Sequence, residues 1–302
     1  MIIKYLQHSE IDKCKWDDCI AKSHNGLIYS TSVYLDNMAT EWDGLVIGNY
    51  EAVMPLPFRK KYGINYVYPP AFSQQMGITC VEEITPKIIG AFLQNIPAKF
   101  RYVEMNFNVS NLYTFSDEKE RNNYFLHLYS SFEILKKKFS RSAERNIKKA
   151  LHENITVKES VPFTEIINIH RSRFNDAVGA NAADYKRLES LFYELQKTNL
   201  LFTLGAYNPM GVLIGGSIYF VYKNRITFII NGNSIESLRN GATHLLMHNT
   251  IKKFSGKDIF LDFEGSDFPE FARFYKQYGA TAEIYKLVKI NNLPWPVSIF
   301  KS

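Results

Sequence analysis

Short, mostly apolar runs bounded by turn-forming polar residues recur along the chain. Gly44-Leu-Val-Ile-Gly48, Ala52-Val-Met-Pro-Leu-Pro-Phe58 and Ile64-Asn-Tyr-Val-Tyr68 read as strands, separated by turns at Asn49-Tyr-Glu51 and at the basic Arg59-Lys-Lys-Tyr-Gly63. This predicts an antiparallel meander. Helical spacing follows in Ile88, Ile89, Phe92 and Leu93, and then a strand at Tyr102-Val-Glu-Met-Asn-Phe107. The same grammar returns further on. Strands over Leu201–Tyr207, Val212–Phe220 and Ile226–Ile230 form a second meander, followed by a helix from about Thr243 to Phe254 and a strand at Ile259–Phe263. The offset from Met54 to Tyr102 is close to that from Gly215 to Ile259, so the pattern predicts a duplicated unit.

Between the two meanders, Ser131–Ala150 reads as one or two helices leading to a strand at Ile155–Lys158. Further helices are predicted over Phe163–Phe174 and Asp184–Thr198, with Ala177–Ala183 as a small-residue loop between them. The expected organisation is therefore two domains, residues 1–130 and 131–302.

Composition supports a packed body. The 302 residues are 46% hydrophobic and 22% charged, so disorder is not expected, and the 22 Phe and 19 Tyr concentrate in the strand-like segments. The net charge of +6 welcomes anionic partners without choosing among them. Three cysteines, Cys14, Cys19 and Cys80, form no CxxC pair, and the first residues carry no signal-peptide pattern, so a cytoplasmic location is expected. The longest nearly apolar run, Gly211–Tyr222, is far short of the roughly 20 residues of a membrane span.

Three stretches of the second half resemble the FemABX and tandem-GNAT group. Phe139-Ser-Arg-Ser-Ala-Glu-Arg-Asn-Ile-Lys-Lys-Ala150 is similar to the group's S-x-x-x-R-x-N-I-x-K-A. Asn240-Gly-Ala-Thr-His-Leu-Leu246 opens a helix in the place of the GNAT cofactor turn. Leu261-Asp-Phe-Glu-Gly265, then Phe274-Tyr-Lys-Gln-Tyr-Gly279 and Tyr285, is similar to the closing D-F-x-G … F-K-x-x-F-G … Y. In the first half, Tyr68–Gly77 resembles P-P-x-x-Q-x-x-G more loosely. The resemblance implies an α+β fold of two GNAT-like domains, each a mixed, mostly antiparallel sheet flanked by helices. It also implies a transferase that moves an acyl or aminoacyl group to an amine. The acceptor would be a small molecule or a cell-wall precursor. The donor stays open between acyl-coenzyme A and aminoacyl-tRNA.

Such a reaction needs a phosphate-binding backbone, hydrogen-bond donors for the carbonyl oxygen, and a base for the ammonium. The turn Arg239, Asn240, Gly241, Ala242 and Thr243 is the candidate donor cradle, with Tyr275 and Lys276 as further donor-binding candidates. The turn departs from Gln/Arg-x-x-Gly-x-Gly/Ala at Leu238 and Thr243, which tilts the donor slightly towards a charged tRNA or another acyl carrier. The bland alternative is an ordinary glycine turn. In the first half, the acids of Val81-Glu-Glu-Ile-Thr-Pro86 precede the helix, so a single donor site, in the second half, is expected. Asp262 and Glu264 alternate on a strand and would face one side, making a carboxylate pair for proton removal; a cap and a surface ion pair are the alternative. Arg141, Arg145 and Lys148 recur at helical spacing as a candidate acceptor or anion site, or as a solvated face. That stripe also supports a second reading: a non-catalytic GNAT-like module that binds nucleic acid or another anionic partner through a basic helix over 133–150. His244 and His248 share a helix face but lack a third ligand at motif spacing, so no metal is expected, and Cys80 reads as structural.

Overall fold

The computed structural model describes residues 2–174, 180–265 and 268–295; residues 177–179 of the expected small-residue loop lie outside them. The chain divides into two compact units, Met1–Arg121 with Ile284–Ser302, and Asn122–Glu283.

The first unit begins with β1 (Ile3–Leu6), α1 (Lys13–Lys22) and α2 (Ser32–Met38). Then come β2 (Glu41–Ile47), β3 (Ala52–Lys61), β4 (Ile64–Val67), the short β5 (Thr79–Cys80), α3 (Pro86–Gln94) and β6 (Phe100–Phe107). β2, β3 and β4 are the expected antiparallel meander, and α3 carries the chain across to β6, which pairs parallel to β4. Thr85 caps α3 through the Ile88 amide and Pro86 sits in its first turn, so this helix start is satisfied within the chain. The core gathers around Trp16 and Trp42, whose rings lie 5.2 Å apart.

The intervening chain makes β7 (Glu118–His127), α4 (Phe132–Lys136) and α5 (Arg141–His152). The second unit then repeats the plan: β8 (Thr156–Glu159), α6 (Phe163–Phe174), α7 (Ala182–Lys197), β9 (Leu201–Tyr207), β10 (Leu213–Tyr222) and β11 (Arg225–Asn233). Next are α8 (Ile235–Asn240), α9 (Ala242–Phe254) and β12 (Phe260–Gly265), followed by α10 (Pro269–Lys276) and β13 (Thr281–Asn291). Again three strands pair antiparallel, helices cross over, and the next strand, β12, lies parallel to the third, β11. Ile166 of α6 lies against Gly216 of β10, and Thr250 of α9 meets the Tyr219 hydroxyl at 2.8 Å. Helices thus pack on β10 at more than one point, which accounts for a strand buried along most of its length.

Each unit's set of strands is completed by a strand from the other stretch of sequence. Lys286–Asn291 of β13 pairs antiparallel with β6 in the first unit, and Phe125–His127 of β7 pairs antiparallel with β12 in the second. The compact units therefore differ from a serial division at residue 130. The reason is strand pairing: residues of β7 upstream of 130 pair with the strands of the second unit, and β13 returns to those of the first. The expected basic helix over 133–150 is also two helices. The Ser140 hydroxyl caps the Ala143 amide and its own amide donates to the Gln277 carbonyl, so a new helix starts at Arg141.

Candidate functional site

Within the second unit, the parallel pairing of β11 with β12 runs from Arg225–Phe260 to Thr227–Asp262. Beyond that point the residues that follow on both strands line one cavity of about 780 Å³. Phe228, Ile229, Asn231 and Asn233 come from β11, Phe263, Glu264 and Gly265 from β12. The helix side is closed by Ser237, Leu238, Gly241, Thr243 and His244, and α10 adds Glu270, Phe271, Phe274 and Tyr275. His170 and Arg173 of α6 complete the wall. A wedge between two parallel strands opens at their carboxyl ends, where side chains and backbone groups converge on a ligand rather than on each other.

The two candidate acids are separated. The ladder between β12 and β7 shifts register between Asp262 and Gly265, and Glu264 sits at φ 60°, a left-handed conformation uncommon for a non-glycine residue. This bulge breaks the alternation that would have put both carboxylates on one side. Glu264 enters the cavity wall, whereas Asp262 does not. Asp262 is 1% exposed; its Oδ2 lies 2.5 Å from Arg225 Nη1, and its Oδ1 accepts the Glu264 amide at 2.9 Å. Asp262 therefore holds the bulge that presents Glu264.

Tyr275 stands beside that carboxylate. Its ring stacks on Phe263 at 4.7 Å, and its hydroxyl pKa is raised well above the ordinary tyrosine value by burial, then by the Glu264 and Asp262 charges. It is a proton-bearing hydrogen-bond donor in an apolar wall. Lys276 points elsewhere: it is exposed, and its ammonium lies 5.7 Å over the Tyr124 ring.

The expected donor cradle is more crowded than an open phosphate site requires. Gly241 ends α8 and begins α9 at φ 82°, and a Cβ there would meet the Asn146 carbonyl oxygen of α5 at 2.3 Å. The glycine is thus needed for close packing of α5 on this junction. The Gly241 amide donates to the Ser237 carbonyl, Ala242 to Asn240 Oδ1 at 3.0 Å, and His244 to the Gly241 carbonyl. With these amides already engaged, the residues at the junction fit the diphosphate of a coenzyme poorly. Asn240 and Ala242 are buried structural parts, and Thr243 gives its hydroxyl to Asn233 Oδ1 at 2.6 Å. Arg239 is exposed outside the cavity lining, and its carbonyl accepts the Lys149 ammonium at 2.7 Å.

Arg141, Arg145 and Lys148 are exposed along α5, as the spacing predicts, while Ala143, Ile147 and Ala150 are buried. Lys138 lies at the helix break with its stem against Gly279. His244 Nδ1 is 2.7 Å from the Tyr278 hydroxyl, and burial pushes its pKa down to about 4. His248 packs edge-on to Phe132 at 5.0 Å. Among the described residues no group of three or more metal-ligating side chains occurs, and no helix is long and apolar enough to cross a membrane.

Sequence reasoning missed His170, Asn231, Asn233 and the aromatic lining. His170 is mostly buried; its Nδ1 donates to the Asn231 carbonyl at 3.0 Å, and burial keeps its pKa below the usual histidine value. Two asparagines at alternate positions, directly after the apolar run Phe228–Ile230, were the signal that could have drawn attention to this end of β11.

No family model and no curated protein matches the sequence. Among solved structures, FemX matches with a TM-score of 0.72 at 11% identity, over 99% of each chain. The C-terminal domain of a putative lysylphosphatidylglycerol synthetase from Agrobacterium fabrum matches with 0.59 at 10% identity, over 96% of this chain and 94% of that one. A tandem GNAT protein from the clavulanic acid biosynthesis pathway matches with 0.55 at 10% identity, over 97% and 99%. The repeated order of strands and helices and these likenesses over nearly the whole chain lead to one conclusion: the protein has a tandem-GNAT fold, shared with FemX.

Proposed function

We propose that the protein transfers an acyl or aminoacyl group from an activated carbonyl donor to an amine, and that the wedge cavity of the second unit is its reaction site. One observation carries the reading: a half-buried carboxylate, Glu264, and a buried hydroxyl, Tyr275, converge on a cavity at the carboxyl ends of two parting parallel strands. The fold shared with FemX and the tandem GNAT protein supports it.

The acceptor arrives as an ammonium and must lose a proton before its nitrogen can attack. Glu264 takes that proton. The nitrogen then forms a bond to the donor carbonyl carbon, and negative charge grows on the carbonyl oxygen. The Tyr275 hydroxyl donates a hydrogen bond to that oxygen and keeps its own proton, as its raised pKa requires. The carbon–oxygen bond of an ester, or the carbon–sulfur bond of a thioester, breaks. The second proton lost by the nitrogen ends on the leaving atom. The packed α8–α9 junction favours an aminoacyl ester over a coenzyme A thioester, and the exposed Arg141, Arg145 and Lys148 offer contacts for an RNA backbone.

The test is transfer measured with aminoacyl-tRNA and with acyl-coenzyme A, using Glu264→Gln and Tyr275→Phe variants of checked fold. Loss of the base is expected to lower kcat by about 10²–10⁴, and loss of the phenol hydroxyl by about 10²–10³. Binding of tRNA should weaken steeply with salt. Full activity in both variants would remove these residues from the chemistry. Salt-dependent tRNA binding with no transfer to any amine would favour the non-catalytic binding module.

A further inference from the structure

The cavity walls are mainly apolar, and Phe and Tyr side chains supply much of that surface. Phe228 and Phe263 line it from the two strands, and Phe271, Phe274 and Tyr275 line it from α10. The stack of Phe263 on Tyr275 and the approach of Phe274 to Tyr275, with ring centroids 6.0 Å apart, join these three rings into one apolar surface. Its volume, about 780 Å³, falls within the roughly 300–1,000 Å³ of small-molecule sites. Charge is sparse and leans negative: among the described lining residues Arg173 is the one cation, against Glu264 and Glu270. His170 and His244 add no positive charge at neutral pH, because burial lowers both. Such a lining repels a phosphate, gives an apolar group contact on most sides, and compensates a cation.

We propose that the cavity binds a primary ammonium carried next to a bulky apolar side chain, as in a leucyl or phenylalanyl group. The apolar part lies on the aromatic wall and the ammonium lies towards Glu264. This rests on the acyl-transfer reading only in taking the same site, and it names the substrate class. Two sources present this chemistry: the aminoacyl group of a donor ester, or the acceptor amine.

The experiment measures calorimetric binding of L-phenylalaninamide, L-leucinamide, glycinamide and N-acetyl-L-phenylalaninamide to the full chain. The two bulky amides should bind at least about tenfold more tightly than glycinamide, and acetylation of the amine should weaken phenylalaninamide by about tenfold. In Glu264→Gln the free and acetylated forms should converge. In Phe271→Ala, at a position 45% exposed, phenylalaninamide should weaken while glycinamide does not change. Equal binding of glycinamide and phenylalaninamide, or of the free and acetylated forms, would overturn the proposal. The sources separate by product mass. A phenylalanyl ester used as donor leaves a phenylalanyl amide with a free amine, whereas phenylalaninamide used as acceptor becomes N-acylated. Glycyl transfer as fast as phenylalanyl transfer would keep the transferase reading and overturn this inference. Selective binding of the bulky amides without transfer would keep this inference and remove the transferase reading.

Discussion

Asp262 and Glu264 show how much one backbone conformation decides. Two residues apart on a regular strand they would share a side; with Glu264 at φ 60° one carboxylate braces Arg225 and the other enters the cavity. His244 offers a test of the site at the same scale. Its folded pKa of about 4 lies below the ordinary 6.5, because burial disfavours the imidazolium. Between these values the unfolded chain holds a proton that the folded chain does not, so stability is full above about pH 6.5 and falls as the pH drops towards 4. His170 and His248 are also lowered by burial and act in the same direction. Urea unfolding at pH 7 and pH 4.5 should show a loss for the native chain. The loss should be smaller by about 1–3 kcal/mol in His244→Gln. An identical pH dependence in the two proteins would show that His244 is not kept neutral by the fold.

At the scale of elements, the α8–α9 junction is organised by its packing on α5. Gly241 adopts a left-handed conformation and has the Asn146 carbonyl where a side chain would stand, so strain and collision coincide at one position. Gly241→Ala is therefore expected to destabilise the protein by about 2–4 kcal/mol, because backbone and not a flexible side chain must move. Chemical denaturation gives the value, and amide exchange should show the loss in α5, α8 and α9. A loss under about 0.5 kcal/mol would mean that the junction relaxes easily and that the glycine serves a ligand instead. A glycine substitution here is thus a probe of folding before it is a probe of donor binding.

For the whole molecule, the consequence lies in how the two compact units are assembled from the sequence. The second unit uses Phe125–His127 beside β12, and the first uses Lys286–Asn291 beside β6. A fragment of residues 131–302 lacks the β7 partner of β12 and leaves that edge open. A fragment of residues 122–283 carries every strand of the second unit. The expectation is a dispersed amide spectrum for 122–283 and a collapsed or aggregated state for 131–302. Equal folding of the two fragments would show that β7 contributes little to the second unit.

The repeat of meander, helix and strand was legible in the chain itself, because strand and helix periods and turn residues are local properties. So was the exposed cationic stripe of Arg141, Arg145 and Lys148, since helical spacing alone places them together. Strand exchange was not, because β7 and β13 each find partners distant in sequence, and alternation along a strand does not say which edge it joins. The split of Asp262 from Glu264 was hidden for a related reason: the bulge lies where β12 is paired with β7 on one side and parts from β11 on the other. His170, Asn231 and Phe274 are far apart in sequence, and only the tertiary structure brings them to one cavity. Local pattern determined the elements and the charged helix face; the site was decided by long-range pairing, because a cavity is made where strands cease to pair.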